Sequence, residues 1–144
     1  MQSPVKIIKD LLYENWSLED DLDKDNMEWR FGEPDDPSTR FVAKEMSMEF
    51  GELTTPRDKR SLTRSIARTV VTVDFWRKYN IAKSKEQMET DRQDVVDEVD
   101  KIISANEISA VDLDLVYVAV DRPLDEPEER IIRSQIEIVC VYQK

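Results

Sequence analysis

The sequence predicts an α+β domain: an antiparallel-rich β-sheet with two main helices packed on it, in the order α-β-β-β-α-β-β. Two observations predict it. Two segments carry capping residues followed by apolar residues at helical spacing, and five segments are β-branched, aromatic or alternating. The 144 residues suit one compact domain around a single core, with no repeat or low-complexity linker to divide them. Residues 1–144 are therefore read as one domain.

Ser3 followed by Pro4 is an N-cap with proline in the first helical position, and Val5, Ile8, Leu12 and Trp16 follow near helical spacing, so a first helix is expected over about 4–15. The acidic run Glu19-Asp20-Asp21-Leu22-Asp23-Lys24-Asp25 ends it, because adjacent like charges disfavour more helix. Met27, Trp29 and Phe31 alternate with polar neighbours as a short strand before the turn residues Pro34-Asp35-Asp36-Pro37. Between Phe41 and Phe50, Val42, Met46, Met48 and Phe50 share one parity, as in a half-buried strand. Residues 51–65 are polar, contain Pro56 and read as a long basic hairpin loop. Ile66 to Tyr79 holds the run from Thr69 to Trp76, poor as helix and good as strand.

Ser84 with Gln87 three residues on forms a capping box for a second helix. Met88, Val95, Val96, Val99, Ile102 and Ile103 give it one apolar stripe, Asp91, Asp94, Asp97, Glu98 and Asp100 occupy the remaining surface, and Asn106 is the expected stop. Two strands follow, Val111 to Val120 and Ile131 to Tyr142, joined by a charged, proline-stiffened hairpin loop over 121–130. In the last strand Ile132, Ile136, Ile138, Cys140 and Tyr142 share a face, while Val139 and Val141 make the opposite face apolar as well. A strand end apolar on both sides lies deep in a sheet or at a subunit contact.

Composition removes several function classes. There is no histidine, so imidazole catalysis is impossible, and with Cys140 as the single cysteine a zinc site is not expected. A lone thiol forbids an internal disulfide and suits a reducing interior. The two glycines, Gly32 and Gly51, stand apart, so no phosphate-cradling glycine-rich loop can be written. No signal peptide is read at the N-terminus. The longest uncharged apolar stretch, Leu115 to Val120, falls far short of the ~20 residues of a membrane helix. A soluble, intracellular protein is the expectation.

The net charge of −11 is unevenly spread. Residues 57–85 hold nine basic and two acidic residues, a local charge of +7, which leaves −18 on the rest. An acidic molecule with one basic segment is a poor ligand for duplex nucleic acid. The same asymmetry would let the basic segment of one copy meet an acidic surface of another, although solvated surface charge gives the same pattern.

Each candidate chemical site has a simpler reading. Asp21, Asp23 and Asp25 have calcium-loop spacing, but Asn26 stands where the sharp turn wants glycine and Gly32 where the bidentate glutamate belongs. The carboxylates of the second helix look like any exposed helix face. Ser3 and Lys6 fit an S-x-x-K spacing without its companion motifs, and Asn15-Trp16-Ser17 is a glycosylation sequon without a secretory route. Cys140 reads as an inert core thiol, and Trp16, Trp29 and Trp76 as core or interface anchors. No nucleophile, base and oxyanion site assemble, so no catalytic residue, metal or cofactor is expected.

The succession of a first amphipathic helix, a long hairpin with a charged loop, the strand from Arg68 to Trp76, the acidic helix through Asp94-Val95-Val96-Asp97, and the closing hairpin from Asp121-Arg122-Pro123 into Arg133 to Tyr142 resembles the tail-terminator or tail-completion proteins of tailed phages and archaeal tailed viruses. The resemblance covers the chain from about residue 4 and rests on a layout of elements, without an invariant signature. It implies a virion structural protein, assembled in the host cytoplasm, that forms a hexameric ring at the head-proximal end of the tail tube and contacts the tube and neck or connector proteins. It brings no catalytic residue or cofactor.

Rings use head-to-tail contacts between two different surfaces, and oppositely charged segments supply such a pair. Arg57, Lys59, Arg60 and Arg64 on the long loop, with Arg68 beyond it, are expected to contact an acidic neighbour or the tube, and Val139 and Val141 form a second interface candidate. Another neck or baseplate subunit, or a small acidic protein-binding module, would fit the same composition.

Overall fold

In the computed structural model, residues 2–31, 44–53, 66–79, 82–110, 112–125 and 131–143 are described. Helix α1 spans Pro4–Asn15. The Ser3 hydroxyl accepts the Lys6 amide at 3.2 Å, which satisfies one of the unpaired donors of the first turn. Ile7, Ile8 and Leu12 face inward. The chain leaves the helix in extended conformation at Trp16, whose indole Nε1 donates to the Leu22 carbonyl at 2.8 Å.

The acidic run is not a plain loop. It forms two short 3-10 turns, Asp20–Leu22 and Lys24–Asn26. Repulsion is overcome by local bonds, with the Asp23 carboxylate accepting the Asp25 amide at 2.9 Å and the Leu22 side chain buried beneath the turn.

The strands are β1 (Met27–Phe31), β2 (Met46–Leu53), β3 (Ile66–Lys78), β4 (Leu115–Pro123) and β5 (Ile131–Gln143). Helix α2 occupies Lys85–Ala105. The element order is the one expected, and the fold is α+β. A single sheet runs β1-β2-β3-β5-β4, antiparallel except for β1 beside β2. That parallel pair needs a crossover rather than a tight hairpin, and the chain between Phe31 and Met46 has the required length of about a dozen residues or more.

Several boundaries differ from those expected. β2 begins at Met46 and runs through Leu53, so residues 51–53 belong to the strand rather than to the hairpin loop; the rest of that loop, 54–65, and residues 41–43 lie outside the described residues. β4 begins at Leu115, because the chain turns through Asp112 with a left-handed φ of 65°. It continues through Pro123, taking in the first part of the supposed 121–130 loop, and a bulge between Val118 and Val120 shifts its register on β5. A bulge and a closing proline are both tolerated on an edge strand.

At the start of α2 the Ser84 hydroxyl accepts the Gln87 amide at 3.1 Å. The reciprocal arm of the capping box is diverted, since the Gln87 side chain donates to Asp91 at 2.8 Å instead. Asn106 ends the helix as expected, its amide side chain donating to the Ile102 carbonyl at 2.8 Å.

Both described helices pack on one face of the sheet. Ile8, Leu12 and Trp16 of the α1 region and Val95, Val99 and Ile103 of α2 join Met48, Phe50, Val73, Phe75, Ile136 and Ile138 in one continuous core. Each large apolar side chain buried this way contributes about 1.5–3 kcal/mol. Trp29 extends the core toward β1, edge-on to Tyr13 and Trp16 and stacked on Phe50 at 5.9 Å. Cys140 lies on this helix-covered face, fully buried. Burial alone pushes its thiol up to about 12, which removes the thiolate needed for reactivity.

Candidate interaction surface

No described helix covers the opposite face of the sheet, and the strand registers divide that face into rows. One row is charged: Arg30 lies opposite Glu49, Glu49 opposite Asp74, Asp74 opposite Gln135, and Gln135 opposite Arg122. Two carboxylates facing each other across strands repel. Arginines offset this on both sides. Arg30 donates to Glu49 Oε1 at 2.8 and 3.2 Å, and Arg133 donates through Nε and Nη2 to Asp74 Oδ1 at 3.0 and 2.9 Å. The Arg133 guanidinium also lies over the Trp76 ring, 4.2 Å from its centroid, a favourable stacking for a weakly hydrated cation. Burial nevertheless raises the Asp74 pKa; Arg133 opposes that shift and Glu49 adds to it.

The adjoining end of the same face is apolar. Leu53 pairs with Val70, Val70 with Val139 and Val139 with Tyr117, and beside them Arg68 pairs with Val141 and Val141 with Leu115. Leu53 and Tyr117 are 40% and 39% exposed, whereas Val139 is 5% exposed. Of the interface residues expected from sequence, Arg68, Val139 and Val141 therefore come together. Val139 sits in an interior strand, and the accessible apolar surface comes from Leu53 and Tyr117, which parity within their own strands did not single out. Arg57, Lys59, Arg60 and Arg64 lie outside the described residues.

The helix-covered side contains charge that the sequence reading placed in solvent. Asp91 and Glu98 of α2 are 6% and 4% exposed. Arg77 Nη1 donates to Asp91 Oδ2 at 2.8 Å, Gln87 donates to its other oxygen, and Lys83 stands 3.5 Å away. Burial pushes the Asp91 carboxyl upward, but the hydrogen bonds from Arg77 and Gln87 and the charges of Arg77 and Lys83 outweigh it, so the pKa is lowered. Glu98 follows the same logic. Burial is outweighed by Lys101 at 2.7 Å and by the Ser17 amide and hydroxyl, the latter at 2.7 Å. A signal for both existed in the sequence: Met88, Asp91, Val95, Glu98 and Ile102 form an alternating 3-4-3-4 series that places the two acids on the edge of the apolar stripe.

The calcium-like triplet does not converge. Asp21 pairs with Lys83, and Asp23 caps its own turn. Among the described residues no group of three or more Cys, Asp or Glu side chains is placed to hold a metal ion. The Ser3 and Ser17 hydroxyls are engaged as a helix cap and as a Glu98 partner. No described helix is long and apolar enough to cross a membrane. Neither the models of known protein families nor the curated proteins include a match to this chain.

Proposed function

We propose that the chain is a virion structural protein of the tail-terminator or tail-completion kind, forming a ring at the head-proximal end of the tail tube and joining it to the neck. The supporting observation is the unlikeness of the two sides of the molecule. One side presents a sheet face with accessible Leu53 and Tyr117 beside Arg68. The other presents α2, whose surface carries Glu86, Glu89, Asp94, Asp97 and Asp100 against Lys85, Arg92 and Lys101. Unlike surfaces on one subunit are what head-to-tail closure requires.

Electron micrographs of the native particle, labelled with an antibody to this chain, provide the test. Label confined to the junction of tail and neck supports the reading, and a particle without the chain overturns it. The acidic ridge of α2 also favours a second reading, a small module that binds a basic protein partner. A chain absent from particles but retained on a basic partner in a salt-sensitive manner would favour that module.

A further inference from the structure

Most described cationic side chains are ion-paired: Lys6 with Asp10, Arg30 with Glu49, Arg77 with Asp91, Lys83 with Asp21, Arg92 with Asp125, Lys101 with Glu98, Arg122 with Glu137 and Arg133 with Asp74. Lys9, Lys24 and Lys44 break this pattern together. They line a single groove of about 310 Å³ between α1, the second 3-10 turn and β1, and among the described residues none of the three has a carboxylate partner. Lys9 lies over the Phe31 ring at 5.2 Å. Lys24 lies over Tyr13 at 4.5 Å and donates to the Tyr13 carbonyl. Lys44 donates to the Asp25 carbonyl at 2.7 Å. Ring faces and carbonyls hold the ammonium groups in place without neutralising them. Asp10, Asp25 and Glu28 also line the groove, but Asp10 is held by Lys6. Three lysines and three carboxylates thus line the groove; with Asp10 neutralised by Lys6 from outside it, the three ammonium groups face Asp25 and Glu28 alone.

The reciprocal feature lies on α2. Asp94, Asp97 and Asp100 are exposed and, among the described residues, have no cationic partner; Asp97 accepts only the Gln93 amide group. Their spacing of three residues keeps them along one side of the helix over about 9 Å. The geometry points to a contact between copies of this chain in which the acidic ridge of one α2 docks against the Lys9, Lys24 and Lys44 groove of the next. The two patches are different surfaces of one subunit, so the contact is head-to-tail. Complementary charge sets its orientation and makes it salt-sensitive. This inference rests on the ring reading above and names a contact that closes the ring.

Charge reversal on each side, followed by mixing, tests the contact. Sedimentation at low salt should give an assembly of the parent chain and monomers of 16.9 kDa for the Lys9→Glu, Lys24→Glu, Lys44→Glu chain and for the Asp94→Lys, Asp97→Lys, Asp100→Lys chain. Circular dichroism verifies that each is folded; where a reversal unfolds, the neutral Gln or Asn set replaces it, and loss of assembly by that set alone, without mixing, is the readout. Mixing the two reversed chains restores association, because each groove then meets a ridge of opposite sign. The contact is wrong if either reversed chain assembles like the parent, if the mixture stays monomeric, or if the parent itself is monomeric at all concentrations. In those cases a chain still found at the tail junction of the particle leaves the assembly reading standing.

Discussion

Arg77, near the end of β3, and Asp91, in the second turn of α2, form an ion pair of 2.8 Å with both side chains buried. The pair ties the register of the helix to one position on the sheet. Lys83, in the connection between the two elements, reaches both Asp91 and Asp21, so the first 3-10 turn, distant in sequence, joins β3 and α2 at one charge cluster. Removing one member of a buried pair leaves an uncompensated charge, which costs more than the pair itself contributes.

Arg77→Met is therefore expected to destabilise the fold by about 3 kcal/mol, while Arg77→Met combined with Asp91→Leu recovers most of that loss. Urea unfolding of the two variants measures the difference. Equal destabilisation by both would show that the pair's net attraction, rather than the stranded carboxylate, dominates.

Asp91 and Glu98 have lowered pKa values in the folded state. Their contribution is complete above the unfolded-state values, near 3.8 for Asp and 4.5 for Glu, and is lost as pH falls through the lower folded values. The parent should lose stability on acidification through this window, and Asp91→Asn or Glu98→Gln should flatten that loss. Denaturant midpoints measured between about pH 6 and 2 provide the comparison.

Asp74 has the opposite sign. Its folded pKa is raised, so the ionised side chain carries a penalty at neutral pH that is relieved as pH falls through the folded value toward 3.8. Asp74→Asn should remove this relief and make the acid-side stability curve steeper than the parent's. A carboxyl chemical-shift titration that placed Asp74 below 3.8 would refute the assignment.

Cys140 should resist thiol reagents in the native protein, because burial disfavours its thiolate. Labelling is expected to accelerate sharply at the unfolding transition, and rapid modification of the folded chain at neutral pH would contradict the placement of Cys140 in the core.

Leu53→Ser and Tyr117→Ser are expected to change stability by less than about 1 kcal/mol, since both side chains are partly exposed. Each should weaken any assembly that uses the sheet face, as read from light-scattering mass. Assembly unaffected by both changes would assign the subunit contact to another surface.

Local chemistry decided the two described helices and the β-branched strand β3. Ser3 with Pro4, Ser84 and Asn106 mark helix ends through bonds made within one turn, and the β-branched run of β3 disfavours helix wherever it is placed, so both helices and that strand were legible from the sequence. The boundaries that moved depend on distant partners: β2 extends to Leu53 because β3 is there to pair with it, and β4 reaches Pro123 because β5 runs alongside. The fate of Asp91 and Glu98 was likewise a tertiary matter. A carboxylate beside an apolar stripe is cheap in water and costly when buried, and only the arrival of Arg77 from β3 and Ser17 from the end of α1 makes burial tolerable. Residue order and composition were enough to place two helices and five strands and to show that the chain is acidic with one basic segment. Which of the described charges are paired and which apolar residues share the sheet face opposite α1 and α2 were decided by folding, because those properties belong to pairs of residues that meet only once the sheet is assembled.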